Sequence, residues 1–160
     1  MAAILPLRDL GCIGGILCHG CFDMIHIGHI RHFREARDIN PIVPLTVTVT
    51  SDKYITKGFG RPAFSESVRA EWLSSIECID YVSIVDDPTA VPAILTIRPR
   101  YYVKGGKYEK SGVIEQEREA LVYVGGFVVY TIDHRDGVSS TSLLTGKYLQ
   151  DKMKGVVCQS

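Results

Sequence analysis

The chain has 160 residues, a length that fits one domain burying roughly 70% of the surface its unfolded form exposes, with no need of a covalent or metal staple. Apolar residues make up 46% and charged residues 22%, which excludes a disordered or fibrous chain. Lysine plus arginine and aspartate plus glutamate each total 18, so no net field draws in a polynucleotide or an anionic membrane, and neither is an expected partner.

No apolar run approaches the roughly 18 residues that a membrane span needs. Residues 1–15 show neither a basic leader nor a small-residue cleavage site after a long apolar core. The cysteines, Cys12, Cys18, Cys21, Cys78 and Cys158, are odd in number and loosely spaced. Together these features predict reduced thiols and a cytoplasmic setting.

In chain order, residues 15–19 read as a short buried strand ending at Gly20. From Ile27 to Asp38, Ile27, Ile30, Phe33 and Ala36 recur at three-residue steps with charges between them, one face of an amphipathic helix. Pro41 and Pro44 end it, and the alternating, β-branched run Leu45 to Thr50 is a second strand. Residues 51–64 form a loop long enough to be functional. Ser65 can cap a helix running to about Glu77.

Tyr81 to Val85 is a third strand, and Asp87-Pro88-Thr89 opens a helix to about Ile97. Tyr101 to Lys104 is a fourth strand, stopped by Gly105-Gly106; a helix through Glu115 to Tyr123 and a fifth strand, Phe127 to Ile132, follow. Ser139 or Ser140 can cap a last helix reaching about Gln150. A domain over 1–150 and a loose, patternless tail over 151–160 are therefore expected. Strands and helices alternating with short links favour a parallel sheet covered on both faces. In such sheets ligands bind beyond the carboxyl ends of the strands, where strand order reverses.

The chemistry concentrates after the first predicted strand. His26-Ile27-Gly28-His29 sets two imidazoles three residues apart at a helix start, where both can face one side. Backbone N–H groups and the helix dipole make that end an anion site. Gly28 admits a close ligand, and two histidines can donate to phosphate oxygens whose charge grows as a leaving group departs. On these four residues alone, a capping histidine beside a surface histidine is an equally good reading. Cys18-x-x-Cys21 invites a zinc reading, but no second pair of ligands accompanies it.

With Gly20-Cys21-Phe22-Asp23 in front, the string becomes Gly-x-Phe-Asp-x-x-His-x-Gly-His, which resembles the signature of the cytidylyltransferase-like nucleotidyltransferase superfamily. The resemblance runs from about Gly15 to Leu149 and implies a Rossmann-like α/β fold, a doubly wound five-stranded parallel sheet with helices on both faces. It implies that Phe22 and Asp23 shape the turn and that His26 and His29 meet the nucleotide phosphates. Lys57-Gly58 with Arg61-Pro62 looks like the family's loop whose lysine approaches the phosphates. Arg69 with Ile79-Asp80-Tyr81-Val82 matches its Arg…Val-Asp-x-Val pattern, and Lys104-Gly105-Gly106-Lys107-Tyr108 its segment at the base and second substrate. Arg135 to Thr141, with Ser139 and Ser140, resembles the Arg-x-x-x-Ser-Thr element that closes on the triphosphate.

The resemblance thus implies His26, His29, Lys57 and Arg135 as catalytic residues. Gly20, Cys21, Phe22, Asp23, Gly28, Lys104, Gly105, Ser139, Ser140 and Thr141 would bind the nucleotide, and Arg69, Asp80, Lys107 and Tyr108 the acceptor. Mg2+ would enter with the triphosphate, with Asp23 the nearest carboxylate. The expected partners are a nucleoside triphosphate and a phosphorylated small molecule, and a homodimer is common in the family. The run 103–108 and Gly125-Gly126 most resemble the domain acting on heptose 1-phosphate with ATP, although Lys107 stands where that group has aspartate. Glycerol-phosphate cytidylyltransferases, which use CTP, share the first motif but carry a tryptophan near position 108; the only tryptophan here, Trp72, lies in a predicted helix where it suits a core. A nucleotide-binding module without catalysis is the alternative of another class.

Overall fold

The computed structural model describes residues 1–56, 60–132 and 143. Its strands are β1 (Ala3–Ile4), β2 (Ile16–Gly20), β3 (Leu45–Thr50), β4 (Tyr81–Val85), β5 (Tyr101–Lys104) and β6 (Phe127–Tyr130). The helices among the described residues are α1 (Ile27–Ile39), α2 (Glu66–Ser74), α3 (Val91–Ile97) and α4 (Glu115–Val124). No helix of the described residues is long and apolar enough to cross a membrane.

All strands are parallel, in the order β1-β4-β3-β2-β5-β6. The sheet has six strands rather than the expected five. The extra one, β1, is only two residues long and pairs through Ala3 and Ile4 with the start of β4. Two residues cannot display an alternation, so no sequence period betrays it.

From β2 the chain moves to β3 and then β4 on one side, and afterwards returns to place β5 against the other edge of β2. The order reverses between β2 and β5. Their carboxyl ends, Gly20 and Lys104, therefore flank the crevice in which a doubly wound sheet receives its ligand.

Each crossover buries its own face. Phe33 and Ala36 of α1 and Ala70 and Leu73 of α2 pack with Ile16, Cys18, Leu45, Val47, Val49, Val82 and Val103. On the opposite face, Ala93, Ile94 and Ile97 of α3 and Ala120 and Leu121 of α4 pack with Leu17, Val85 and Tyr102. Burial on both sides encloses even the threonines of β3: Thr46 and Thr48 are 0% exposed and Thr50 8%. Ile27, expected on the inner face of α1, is instead 46% exposed. Three residues turn a helix by about 300°, so a strict three-residue repeat walks off the buried stripe.

α2 starts where expected, with the Ser65 side chain accepting from Val68 N. α3 starts later than expected, at Val91 after an Asx turn in which Asp87 accepts from the amide and hydroxyl of Thr89. Trp72 is half-buried, its ring centroid 4.5 Å from that of Phe64. The helix expected to reach Gln150 and the tail over 151–160 lie outside the described residues.

Candidate active site

The motif after β2 folds into a tight turn leading straight into α1. Phe22 takes a left-handed conformation, φ 47°, which turns its ring back over the end of β2. A Cβ on Gly20 would stand 3.0 Å from that ring, so any other residue there would have to push the ring aside by a few tenths of an ångström. The Phe22 ring meets His29 edge-on at 5.3 Å and Phe33 at 5.3 Å, joining the turn to the core beneath α1.

His26 is the N-cap of α1, and the two motif histidines cap one another. His26 Nδ1 accepts from Gly28 N at 3.2 Å, and His29 Nδ1 accepts from His26 N at 3.4 Å. The two rings lie 3.9 Å apart and 30° from parallel. With Nδ1 accepting, each neutral ring carries its proton on Nε2. Two imidazole donors are thereby oriented at the positive end of a 13-residue helix. The reading of one capping and one surface histidine is half right: both cap, and His29 is partly buried.

Asp23 shapes the turn, as the resemblance implies, and does not fit the metal role also expected of it. Its carboxylate is fully buried, ion-paired to Arg61 Nε, and accepts from Ala63 N at 2.7 Å and Phe64 N at 3.3 Å. It clamps the turn after β2 to residues 61–64. With its oxygens so engaged it does not fit a metal ligand, and among the described residues no group of three His, Cys, Asp or Glu could hold a metal ion.

Arg69, expected at the acceptor, is fully buried at the start of α2. Its guanidinium donates to Phe64 O at 3.0 Å, Thr50 O at 2.9 Å, Asp52 Oδ1 at 2.6 Å and Cys21 O. It braces the loops around the site and presents no surface to a ligand. Asp80 lies at the wrong end of the sheet. It precedes β4, accepts from Leu45 N at 2.7 Å and pairs with Arg37, so it ties together the amino ends of β3 and β4. Arg37 in turn donates to the carbonyls of Val43 and Cys78. The predicted strand Tyr81 to Val85 already set Asp80 at its amino end, away from the carboxyl ends where ligands bind.

Across the crevice, Lys104 ends β5 and Gly105 follows it. The Lys104 side chain is 15% exposed; its ammonium donates to Tyr102 Oη at 3.2 Å and lies 3.6 Å from Glu117 Oε2, with the Tyr102 and Tyr108 ring centroids each 5.1 Å away. Tyr108 closes a 3-10 turn, Gly106–Tyr108, and is partly exposed; Lys107 contributes backbone to that turn. The chain beyond β6 begins against α1: His32 Nδ1 and Thr131 Oγ1 are 2.8 Å apart, and Glu35 Oε2 accepts from Ile132 N at 3.0 Å. Gly20, Cys21, Phe22, Gly28, His26 and His29 thus gather on one side of the crevice, and Lys104, Gly105 and Tyr108 on the other. Lys57, Arg135, Ser139, Ser140 and Thr141 lie outside the described residues.

Two residues that sequence reasoning passed over stand close by. His19 on β2 holds Thr48 Oγ1 at 2.9 Å through Nδ1 and Thr50 Oγ1 at 3.2 Å through Nε2. Loss of water around its ring lowers its pKa to about 4, so the ring is neutral near pH 7. Glu117 on α4 is buried and bonded to Tyr102 Oη and Ala90 N. Its signal was in the sequence: a carboxylate three and four residues before Ala120 and Leu121, in the stripe that faces the core.

A doubly wound parallel sheet with paired histidines on a helix start at its switch point defines a nucleotidyltransferase domain. The chain belongs to the cytidylyltransferase-like family, whose model matches residues 17–145. It is 36% identical over 129 residues to the bifunctional protein HldE of Syntrophotalea carbinolica, and 40% identical over 128 residues to that of Nitrobacter hamburgensis. These matches take in 81% and 79% of this chain but 26% and 25% of the relatives, so the chain spans about a quarter of their length. The fold is similar to the lipopolysaccharide core biosynthesis protein from Thermoplasma volcanium, with TM-score 0.59 and 20% identity over 75% of this chain and 95% of that one. It is also similar to pantothenate synthetase from Thermus thermophilus, with TM-score 0.55 and 16% identity over 82% and 62% of the two chains.

Proposed function

We propose that this chain transfers a nucleoside monophosphate from a triphosphate to a phosphorylated small molecule, and that the pair is ATP and a sugar 1-phosphate of the heptose type. The observation that supports the reading is the mutual capping of His26 and His29 at the start of α1, the helix that follows β2. The preference for a sugar 1-phosphate rests on the run Val103 to Tyr108 and Gly125-Gly126, and on the similarity to HldE proteins.

In the reaction, an oxygen of the acceptor phosphate attacks the α-phosphorus. A new P–O bond forms as the bond to the bridging oxygen of the β-phosphate breaks, and pyrophosphate departs from the opposite side. The attacking oxygen is already anionic, so no general base is required. Alignment and charge stabilisation supply the catalysis. The His26 and His29 Nε2–H groups donate to the phosphate oxygens as charge builds, and Lys104 faces the phosphates from β5. Mg2+ enters bound to the triphosphate, as part of the substrate. Lys57 and Arg135 supply further cations, and Ser139, Ser140 and Thr141 further donors.

Pyrophosphate release tests this reading, with the four ribonucleoside triphosphates crossed against sugar 1-phosphates and polyol phosphates in the presence of Mg2+. Release only with ATP and a heptose 1-phosphate is the expected result. Release only with CTP and glycerol phosphate would replace the substrates and keep the chemistry, and binding without release under any pairing would mark a non-catalytic module.

A further inference from the structure

The Glu117 carboxylate is 5% exposed, on the face of α4 that packs against the sheet. A buried carboxylate is costly unless its lone pairs are met. Two hydrogen-bond donors and a cation, from two elements, meet this one: Ala90 N at the head of α3, 2.9 Å from Oε1; Tyr102 Oη on β5, 3.0 Å from Oε2; and Lys104 Nζ at the end of β5, paired with Oε2 at 3.6 Å. Lys104 Nζ also donates to Tyr102 Oη at 3.2 Å, so anion, phenol and ammonium form a closed triangle.

The N-cap residue of α3, Ala90, has no side chain to cap with; Thr89 Oγ1 accepts from Val91 N at 3.2 Å, and Glu117 accepts from Ala90 N. A glutamine could accept from Ala90 N equally well, since one carbonyl oxygen suffices. A carboxylate holds a buried ammonium far more strongly than a neutral amide does. The second oxygen of Glu117, the one toward Tyr102 and Lys104, is therefore the informative one.

We propose that Glu117 is a positioning residue: through Tyr102 and Lys104 it fixes the ammonium at the carboxyl end of β5 and so sets the affinity of the site for a triphosphate. It touches no substrate itself. Lys104 is held in place before any phosphate arrives, so binding need not order a long flexible side chain. The inference rests on the proposed function only in taking Lys104 as a phosphate contact.

The test is a double-mutant cycle on triphosphate affinity, measured by calorimetry with the Mg2+ complex of ATP and needing no turnover. Glu117→Gln should weaken binding about tenfold, and Lys104→Met by at least as much. The double variant should bind no worse than Lys104→Met alone, because the first change acts through the second residue. Fully additive losses, or unchanged affinity in Glu117→Gln, would overturn the proposal. A merely structural role would lower the unfolding temperature and leave affinity untouched well below it. Should Glu117→Gln fail to fold, Tyr102→Phe breaks the same triangle while Glu117 still caps α3. It should weaken binding severalfold, and affinity equal to wild type would overturn the proposal. Wild type that binds triphosphate but releases no pyrophosphate refutes the transfer reaction and leaves this cycle readable; wild type that does not bind triphosphate overturns both.

Discussion

The Phe22 ring stands edge-on to the His29 imidazole, with centroids 5.3 Å apart and planes 80° from one another. His29 is thus oriented from two sides: by Phe22 against its ring and by the His26 N–H bonded to its Nδ1. The expected consequence is that Phe22→Leu lowers kcat by about a hundredfold with little change in KM, because misplacing a reacting group by an ångström is that costly. Steady-state kinetics check it. A kcat within a factor of two of wild type would mean the aromatic edge has no part in orienting the histidine.

His29→Asn separates capping from chemistry. An asparagine oxygen can accept from His26 N in place of Nδ1, so stability should stay within about 1 kcal/mol of wild type. The Nε2 donor is lost, and turnover should fall by about a thousandfold, the scale seen when one preorganised donor is removed. Urea unfolding and pyrophosphate release measure the two effects separately. Loss of both together would show that the histidine serves the fold more than the reaction.

Asp23→Asn should affect stability and leave the metal requirement alone. The substitution strands Arg61 in a buried site, which costs about 3 kcal/mol. The Mg2+ concentration giving half-maximal activity should not move in whatever folded enzyme remains. A tenfold rise in that concentration would restore Asp23 to the metal role first expected of it.

His19 makes stability depend on pH in a defined window. Its folded pKa, about 4, is below its ordinary value of 6.5. Above that ordinary value both folded and unfolded forms are neutral and nothing is lost. As pH falls from 6.5 toward about 4, the unfolded chain takes up a proton that the folded chain refuses, and stability declines by up to about 1.4 kcal/mol per pH unit. His19→Gln should remove that slope from the unfolding free energy measured across this range. An unchanged slope would assign it to other groups.

The elements with a clear period were legible in the sequence. The buried run at β2, the alternation at β3 and the spacing of Phe33 and Ala36 in α1 follow from side-chain direction alone. The phosphate-handling string was legible because it combines a strand end, a helix start and paired histidines. What the sequence hid was partnership across the fold. Asp80 lies in the right string and at the wrong end of the sheet, held by Arg37 and Leu45 N. Glu117 falls in the core-facing stripe of its helix, but its partners Tyr102 and Lys104 appear only in the fold. β1 has too few residues to carry any pattern, and its place is fixed by pairing with β4.

Arg69 has one more implication. Of its four partners, three are main-chain carbonyls, those of Cys21, Thr50 and Phe64. A carbonyl is the same group whatever residue bears it. The rim of the crevice is therefore held by contacts largely indifferent to the side chains it displays. Apart from the Asp23–Arg61 pair, residues along these loops that are held by their carbonyls can be exchanged for others while the frame around the two histidines stays as it is.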